Sequence, residues 1–350
     1  MGKTKINKTF EQVVRLIEEA RNRAFLKVNE ELVLLYFKVG SIVSAKVSAG
    51  VWGDNTVEEL AAYIGSRYPG LQGFNRRGLY RMRQFYETYS TTEFVSPVVT
   101  QIQQTENEAL AIVSPLVTQI SWTHHLLILS KTKSIEEKLF YINACINEHW
   151  SKRELERQLN SAVFERTVLA NNKVPALMKK LPQNLFKDPY IFEFLDLPDG
   201  HSETDLEKAL MLNLQKIILE LGKGFTYMGN QYRLQVGTKD YYTDLLFYQR
   251  DLQCLVLFEL KIQEFEPEFL GKLNFYLEAL DRDVKRPFEN NSIGILLCKG
   301  KDSAVVEYAM ARNTSPTLIA DYETRLIPKK LLANKLNQLV EQLSKNENNR

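Results

Sequence analysis

Apolar residues between positions 8 and 49 recur at three- and four-residue spacing, as Val13, Val14, Ile17, Ala20 and Ala24. Leu32, Leu34, Leu35, Phe37 and Val39 continue the stretch, so the pattern predicts helix until Gly50 and Gly53 punctuate it. A second helix is expected from Thr56 as N-cap, with Val57, Leu60, Ala61 and Ile64 on one face. Pro69-Gly70 and Gly73 make a turn, and Asn75 stands at the cap position of a third helix over 76–86. Helical spacing resumes over 122–165, where Ser134 with Glu137 and Ser151 with Glu154 fit capping boxes. Residues 88–120 are rich in Ser, Thr, Gln and Val instead. They repeat one motif, Ser96-Pro97-Val98-Val99-Thr100-Gln101-Ile102 and Ser114-Pro115-Leu116-Val117-Thr118-Gln119-Ile120. Two copies are too few for a solenoid, so the segment reads as a surface insertion.

After a proline-spread connection the period changes. A helix over 203–221 precedes strand-like runs at 225–227 and 232–236, separated by Gly229-Asn230. Residues 241–248 are β-branched and aromatic, and 254–261 form an apolar run ending in charge, so both read as strands. Helix, strand, helix and strand follow. The chain therefore divides into an all-α N-terminal domain (1–165) with a helix-turn-helix-like unit, a linker (166–200), an α/β domain with a central mixed sheet (201–323), and a C-terminal helix and tail (324–350). Leu332, Leu336, Leu339 and Leu343 make a stripe too short for an independent coiled coil, which suits a docking helix, including one at a dimer contact.

Composition narrows the function classes. The net charge is +2, so nucleic-acid binding has to rest on local basic patches. The three cysteines, Cys145, Cys254 and Cys298, lie far apart without CxxC spacing, which argues against a zinc site or a disulfide framework and fits a reducing cytosol. No apolar run approaches a membrane span, and the N-terminus lacks the apolar core of a secretory signal, so a cytoplasmic location without membrane attachment is expected. His124 and His125 have no nearby acid or cysteine pair and read as capping or packing residues.

The chemistry lies in 241–261. If these two strands form a hairpin with a loop of two to four residues, Asp244 falls opposite residue 257, 258 or 259. Glu259 is then directly across or diagonal to it, roughly 5 or 7 Å away. Lys261, two residues on, projects from the same face. Two acids and an amine on an apolar sheet are costly unless a cation neutralises the acids. Mg²⁺, with Mn²⁺ as a substitute, suits Asp244, Glu259 and the carbonyl of Leu260. Lys261 would then orient water or meet developing charge. A structural salt bridge is the plainer alternative.

Asp, hairpin and Glu-x-Lys at a strand end resemble the PD-(D/E)xK nuclease superfamily, although Thr243 stands where Pro often precedes the Asp. Glu136-Glu137-Lys138 also matches Glu-x-Lys, but in helical context. More closely, Lys223-Gly224-Phe225, Asp244-Leu245-Leu246-Phe247-Tyr248, Glu259-Leu260-Lys261, Gly271-Lys272-Leu273-Asn274-Phe275-Tyr276-Leu277 and Gly294-Ile295-Leu296-Leu297-Cys298-Lys299 resemble the YhcG-type nuclease family. Trp52-Gly53, Gly73-Phe74-Asn75-Arg76-Arg77, Met82-Arg83-Gln84-Phe85-Tyr86 and Trp122-Thr123-His124-His125 resemble its N-terminal domain. The resemblance covers roughly residues 10–325 apart from 88–120. It implies a restriction-endonuclease-like domain and a Mg²⁺-dependent endonuclease acting on DNA, with Asp244, Glu259 and Lys261 catalytic. It also implies a further carboxylate from the first core helix, among Glu203, Glu207 and Glu220, with Glu207 favoured for its early position beside Leu210. Lys272 and Tyr276, i and i+4 on the following helix, are expected to touch phosphate. Arg76, Arg77, Arg81 and Arg83 sit on a helix without an acid as far as Tyr86, which reads equally as a recognition helix or a solvated face. The helical half would bind DNA or a protein partner, and double-strand cutting would favour a homodimer. The rival class is a non-catalytic nucleic-acid-binding scaffold that retains the fold.

Overall fold

A computed structural model describes residues 2–90, 115–173, 185–195, 197–198 and 200–348. The chain forms two compact units, Met1–Glu156 and Arg157–Arg350. The first repeat of the expected insertion lies outside the described residues. Among the described residues no helix is long and apolar enough to cross a membrane.

The first unit is helical, in the order α1 (Gly2–Ser48), α2 (Asp54–Arg67), α3 (Arg76–Tyr89), α4 (Pro115–Thr118), α5 (Trp122–Lys131), α6 (Ile135–Glu148) and the start of α7 (Lys152–Asn160). Asn75 caps α3 as expected, its Oδ1 accepting the Gly78 N–H at 2.8 Å. The second helix starts at Asp54, earlier than Thr56 suggested, because Gly53 takes the extended cap conformation and Asp54 suits the positive helix end. Val43, Val57, Phe74, Leu79 and Met82 form the core where α1, α2 and α3 meet. Gly40 lets α1 and α3 touch: a Cβ there would lie 2.0 Å from the Met82 carbonyl oxygen. Backbone, unlike a side-chain tip, has nowhere to go, so Gly40→Ala is expected to cost about 2–3 kcal/mol. Urea unfolding checks this, and an unchanged midpoint would mean that the helices separate freely.

His125 is buried; its Nε2 donates to the Val117 carbonyl (2.8 Å) and its Nδ1 accepts from the Tyr89 hydroxyl (3.3 Å). Burial holds its pKa down at about 4, so it is a neutral packing residue at pH 7. The Glu136-Glu137-Lys138 motif lies inside α6, where the Lys138 ammonium donates to the Lys133 carbonyl at 2.8 Å.

The second unit continues with α8 (Val163–Lys173), β1 (Tyr190–Ile191), α9 (Glu203–Leu212), α10 (Leu214–Leu221), β2 (Phe225–Val236), β3 (Lys239–Gln249) and β4 (Cys254–Leu260). It closes with α11 (Glu268–Ala279), a single π turn (Leu280–Val284), β5 (Ile293–Cys298), α12 (Ser303–Met310), β6 (Thr317–Glu323) and α13 (Lys329–Asn348). The sheet order is β1-β6-β5-β4-β3-β2, antiparallel across β2, β3 and β4 and parallel from β4 to β1. The mixed sheet expected from the pattern is therefore present. Residues 166–200, expected as a connection, carry the rest of α8 and β1, a two-residue strand too short for periodicity to reveal.

The two runs around Gly229-Asn230 form one strand, not two. A bulge between Tyr227 and Gly229 absorbs the irregularity without a turn. The expected helix over 203–221 breaks at Asn213 into α9 and α10. One sheet face packs Leu245, Phe247, Val256 and Phe258 against Leu206, Leu210, Ile217 and Leu221 of α9 and α10. The other packs Leu246, Leu255, Leu257 and Leu296 against Leu270, Leu273 and Leu277 of α11. This period-two division decides where the polar residues at the strand ends must point. Leu332 and, less buried, Leu336 of α13 pack with Ala162 and Leu169.

Candidate active site

The β3–β4 hairpin is pinned by its own turn. Gln249 Oε1 accepts the N–H groups of Asp251 (2.6 Å) and Leu252 (3.2 Å), and its Nε2 donates to the Lys223 carbonyl (2.9 Å). The four-residue loop sets Leu245 opposite Phe258 and Leu246 opposite Leu257. The next position in that register puts Asp244 across from Glu259. Both carboxylates, and Lys261 after them, lie on the α11 face of the sheet.

Asp244 Oδ2 accepts the Leu260 N–H at 2.8 Å. Glu259 is fully buried, and among the described residues its Oε2 has no hydrogen-bond partner. Its Oε1 accepts from the Lys272 ammonium of α11 and lies 3.8 Å from Lys261 Nζ. Lys261 Nζ donates to the Leu260 carbonyl at 2.8 Å and to Glu203 Oε2 at 3.1 Å. Burial, then the neighbouring Asp244 charge, pushes the Glu259 carboxyl up to about 7; burial also raises Asp244, against the Leu260 amide and the two lysines. A buried carboxyl pair with raised pKa values and one orphaned oxygen is short of positive charge, and two lysines supply only part of it.

This donor set fits a hard divalent cation: two carboxylates and a strand-end carbonyl, with Glu259 Oε2 otherwise unsatisfied. The Leu260 carbonyl can join it once Lys261 turns aside. No group of three or more His, Cys, Asp or Glu residues stands ready to hold a metal among the described residues. Remaining ligands would be water or substrate oxygens, as is usual for Mg²⁺.

The three candidate acids of the core helices part ways. Glu203, in the first turn of α9, reaches Lys261. Glu207, one turn on, accepts from Asn230 (3.1 Å) and Gln231 (2.8 Å). It lines an open cavity of about 960 Å³ with Lys208, Met211 and Tyr227, and its charge acts on Asp244. Glu220 is buried against Arg166 at 2.5 Å, away from the hairpin carboxylates. The link from Lys272 to Glu259 had no sequence signal beyond a basic residue on the following helix. Lys272 Nζ also lies 5.3 Å from the centre of the largely buried Tyr276 ring, so these two residues do meet.

The four arginines of α3 are not equivalent. Arg76 pairs with Asp54 (3.0 Å) and lies near Glu58 (3.8 Å), while Arg83 pairs with Glu87 (2.7 Å) in the helix's last turn, beyond the acid-free stretch. Arg77 is exposed, and Arg81 is half-buried beside Gln84, Thr123 and Lys152.

Comparison with known proteins shows the family. Residues 183–339 match the YhcG PDDEXK nuclease domain, and residues 12–166 match the DUF1016 N-terminal domain. A protein of Escherichia coli (strain K12) named "Putative nuclease YhcG" is 30% identical over 345 residues, covering 93% of this chain and 92% of that protein. Two solved structures are more distant. A repair endonuclease from Pyrococcus abyssi is 15% identical over 36% of this chain, with a TM-score of 0.26, and EndoMS in apo form is 18% identical over 37%, with a TM-score of 0.25. The chain matches about half the length of each (50% and 49%). With a relative of that identity along nearly its whole length, and both family domains in order, the chain belongs to the YhcG family of PDDEXK nucleases.

Proposed function

We propose that the protein is a Mg²⁺-dependent endonuclease, with Mn²⁺ able to substitute, that hydrolyses phosphodiester bonds in DNA. The observation that carries this reading is the orphaned Glu259 Oε2, buried across the hairpin from Asp244. Asp244, Glu259 and the Leu260 carbonyl would hold the cation. When bound, the cation supplies charge neutralisation at the phosphate and makes water more acidic. Lys261 orients the attacking water and meets charge developing on the phosphate, and Glu203 holds its ammonium in place. Glu207, at the edge of the neighbouring cavity, supplies a further carboxylate toward the incoming strand. Lys272 and Tyr276 stand on the α11 side, where Lys272 can exchange Glu259 for a phosphate oxygen.

The helical unit would bring nucleic acid or a protein partner, with Arg77 and Arg81 as the first contacts. Arg76 and Arg83 would have to leave their acidic partners, and exposed pairs of this kind hold weakly. A net charge of only +2 makes such local cations the means of phosphate binding.

Covalently closed circular duplex DNA tests the reading, because an exonuclease has no end to start from. With Mg²⁺ or Mn²⁺ the protein should nick or linearise the circle, and excess chelator should stop it. Cutting of linear DNA alone, or of RNA alone, would overturn the endonuclease or the DNA assignment respectively.

A further inference from the structure

The longest helix among the described residues carries an apolar face that the described residues of its own unit leave open. α1 has 47 residues, about 70 Å at 1.5 Å each. Its C-terminal half buries Val33, Phe37, Gly40, Val43 and Ser44 within roughly a third of the helix circumference. That side meets α3, with Phe37 edge-on to Phe85 at 6.0 Å. A second apolar stripe runs from Phe10 to Ile42 on the opposite face. Phe10, Val13, Ile17, Val28 and Ile42 are 64%, 48%, 53%, 59% and 55% exposed. Leu32 and Leu35, 42% and 41% exposed, bridge the two halves. Scattered apolar surface residues are ordinary, but a continuous stripe of some five turns or more is not.

We infer that this stripe pairs with the same stripe of a second copy of the chain, antiparallel and centred on residue 26. The sequence itself selects that register. Phe10 then meets Ile42 of the second copy, Ile17 meets Leu35, and Ala24 meets Val28. Two charged residues lie well within the stripe, Arg21 and Glu31, and the same register sets Arg21 of each copy against Glu31 of the other. In a parallel pair Arg21 would face Arg21 and Glu31 would face Glu31. Among the described residues Glu31 pairs with Lys27 in an exposed contact at 3.4 Å, which competes weakly. The spacing also suits pairing. From Phe10 the apolar steps run mostly three and four residues, with one stretch of consecutive fours after Ala20 that relaxes the supercoil toward straight helices. A stripe about 48 Å long and 10 Å wide covers roughly 500 Å², so two of them bury roughly 1,000 Å², the lower bound for a specific interface. The contact is isologous and closes on itself, giving a dimer and not a filament.

Sedimentation equilibrium of the full chain tests this. Wild type should dimerise, and Ile17→Glu with Leu35→Glu should weaken the dimer at least 100-fold; both side chains are exposed, so the fold of each copy is spared. Arg21→Glu should weaken it roughly tenfold, as should Glu31→Arg, while the double exchange should restore wild-type affinity. A wild type that stays monomeric at tens of micromolar, or a dimer indifferent to Ile17→Glu with Leu35→Glu, overturns the proposal. Failure of the double exchange to rescue overturns the antiparallel register. None of these readouts depends on nuclease activity.

Discussion

Asp244→Asn protein is expected to cleave DNA at least roughly 10³-fold more slowly than wild type, and Lys261→Ala to lose a similar factor. Asparagine keeps the volume of aspartate and an oxygen for the Leu260 N–H, which Asp244 now accepts at 2.8 Å. What it removes is negative charge opposite Glu259. If that charge serves a cation, activity goes while the fold stays. If the carboxylates are only a structural ion-pair network, the fold should suffer instead. The metal-free protein gives a sharp separation. Burial raises both carboxyls, Glu259 to about 7, so the folded state holds protons that the unfolded chain releases above about 4.5. Stability contributed here therefore falls as pH rises through that window. Asp244→Asn should leave the metal-free melting temperature unchanged or higher at pH 7. Mn²⁺ should raise that of wild type but not of the variant. Equal cleavage by wild type, Asp244→Asn and Lys261→Ala would point to a contaminating nuclease and sink the assignment.

Glu220→Gln is expected to lose about 3–5 kcal/mol of stability at pH 7, although it touches no part of the proposed chemistry. Glu220 is fully buried at the end of α10. Its Oε1 takes the Arg166 guanidinium at 2.5 Å and the Ile191 N–H at 3.0 Å, and its Oε2 takes Arg157 at 3.1 Å. Lys187 donates to its carbonyl oxygen. One carboxylate thus joins α8, α10 and the short strand β1. Burial alone would push its pKa up; Arg166, Lys187 and Arg157 more than offset this and hold it at about 2. The sign is that of a depressed carboxyl. The stabilisation is present above the unfolded pKa near 4.5 and disappears as pH falls toward 2. Glutamine keeps the shape but leaves the buried Arg166 guanidinium without its main counter-charge. Denaturant unfolding at pH 7 and pH 3 should show a large gap between wild type and variant that narrows in acid. A gap under about 1 kcal/mol at pH 7 would mean that the network is dispensable.

Much of the candidate site was legible along the chain, because it is built on a hairpin. A four-residue loop between two short strands leaves little freedom in register, so the distance in sequence from Asp244 to Glu259 already implied their meeting. The alternation of the strands likewise settled that Lys261 shares their face. Helix existence, the Asn75 cap and the all-α to α/β change followed from period and composition for the same local reason. Packing decided the rest. Glu203 and Glu207 lie one turn apart on α9, and nothing in their spacing says which reaches Lys261; the seating of Leu206 and Leu210 on the sheet puts Glu203 there. Lys272 meets Glu259 only because α11 lies across that sheet face. Strand β1 exists only because the edge of β6 offers it backbone partners. Asp54, Glu58 and Glu87 engage two of the four arginines whose helix looked like a free basic face. Side-chain period and loop length act over a few residues and can be read in order, whereas these contacts join residues that only the packing of whole elements brings together.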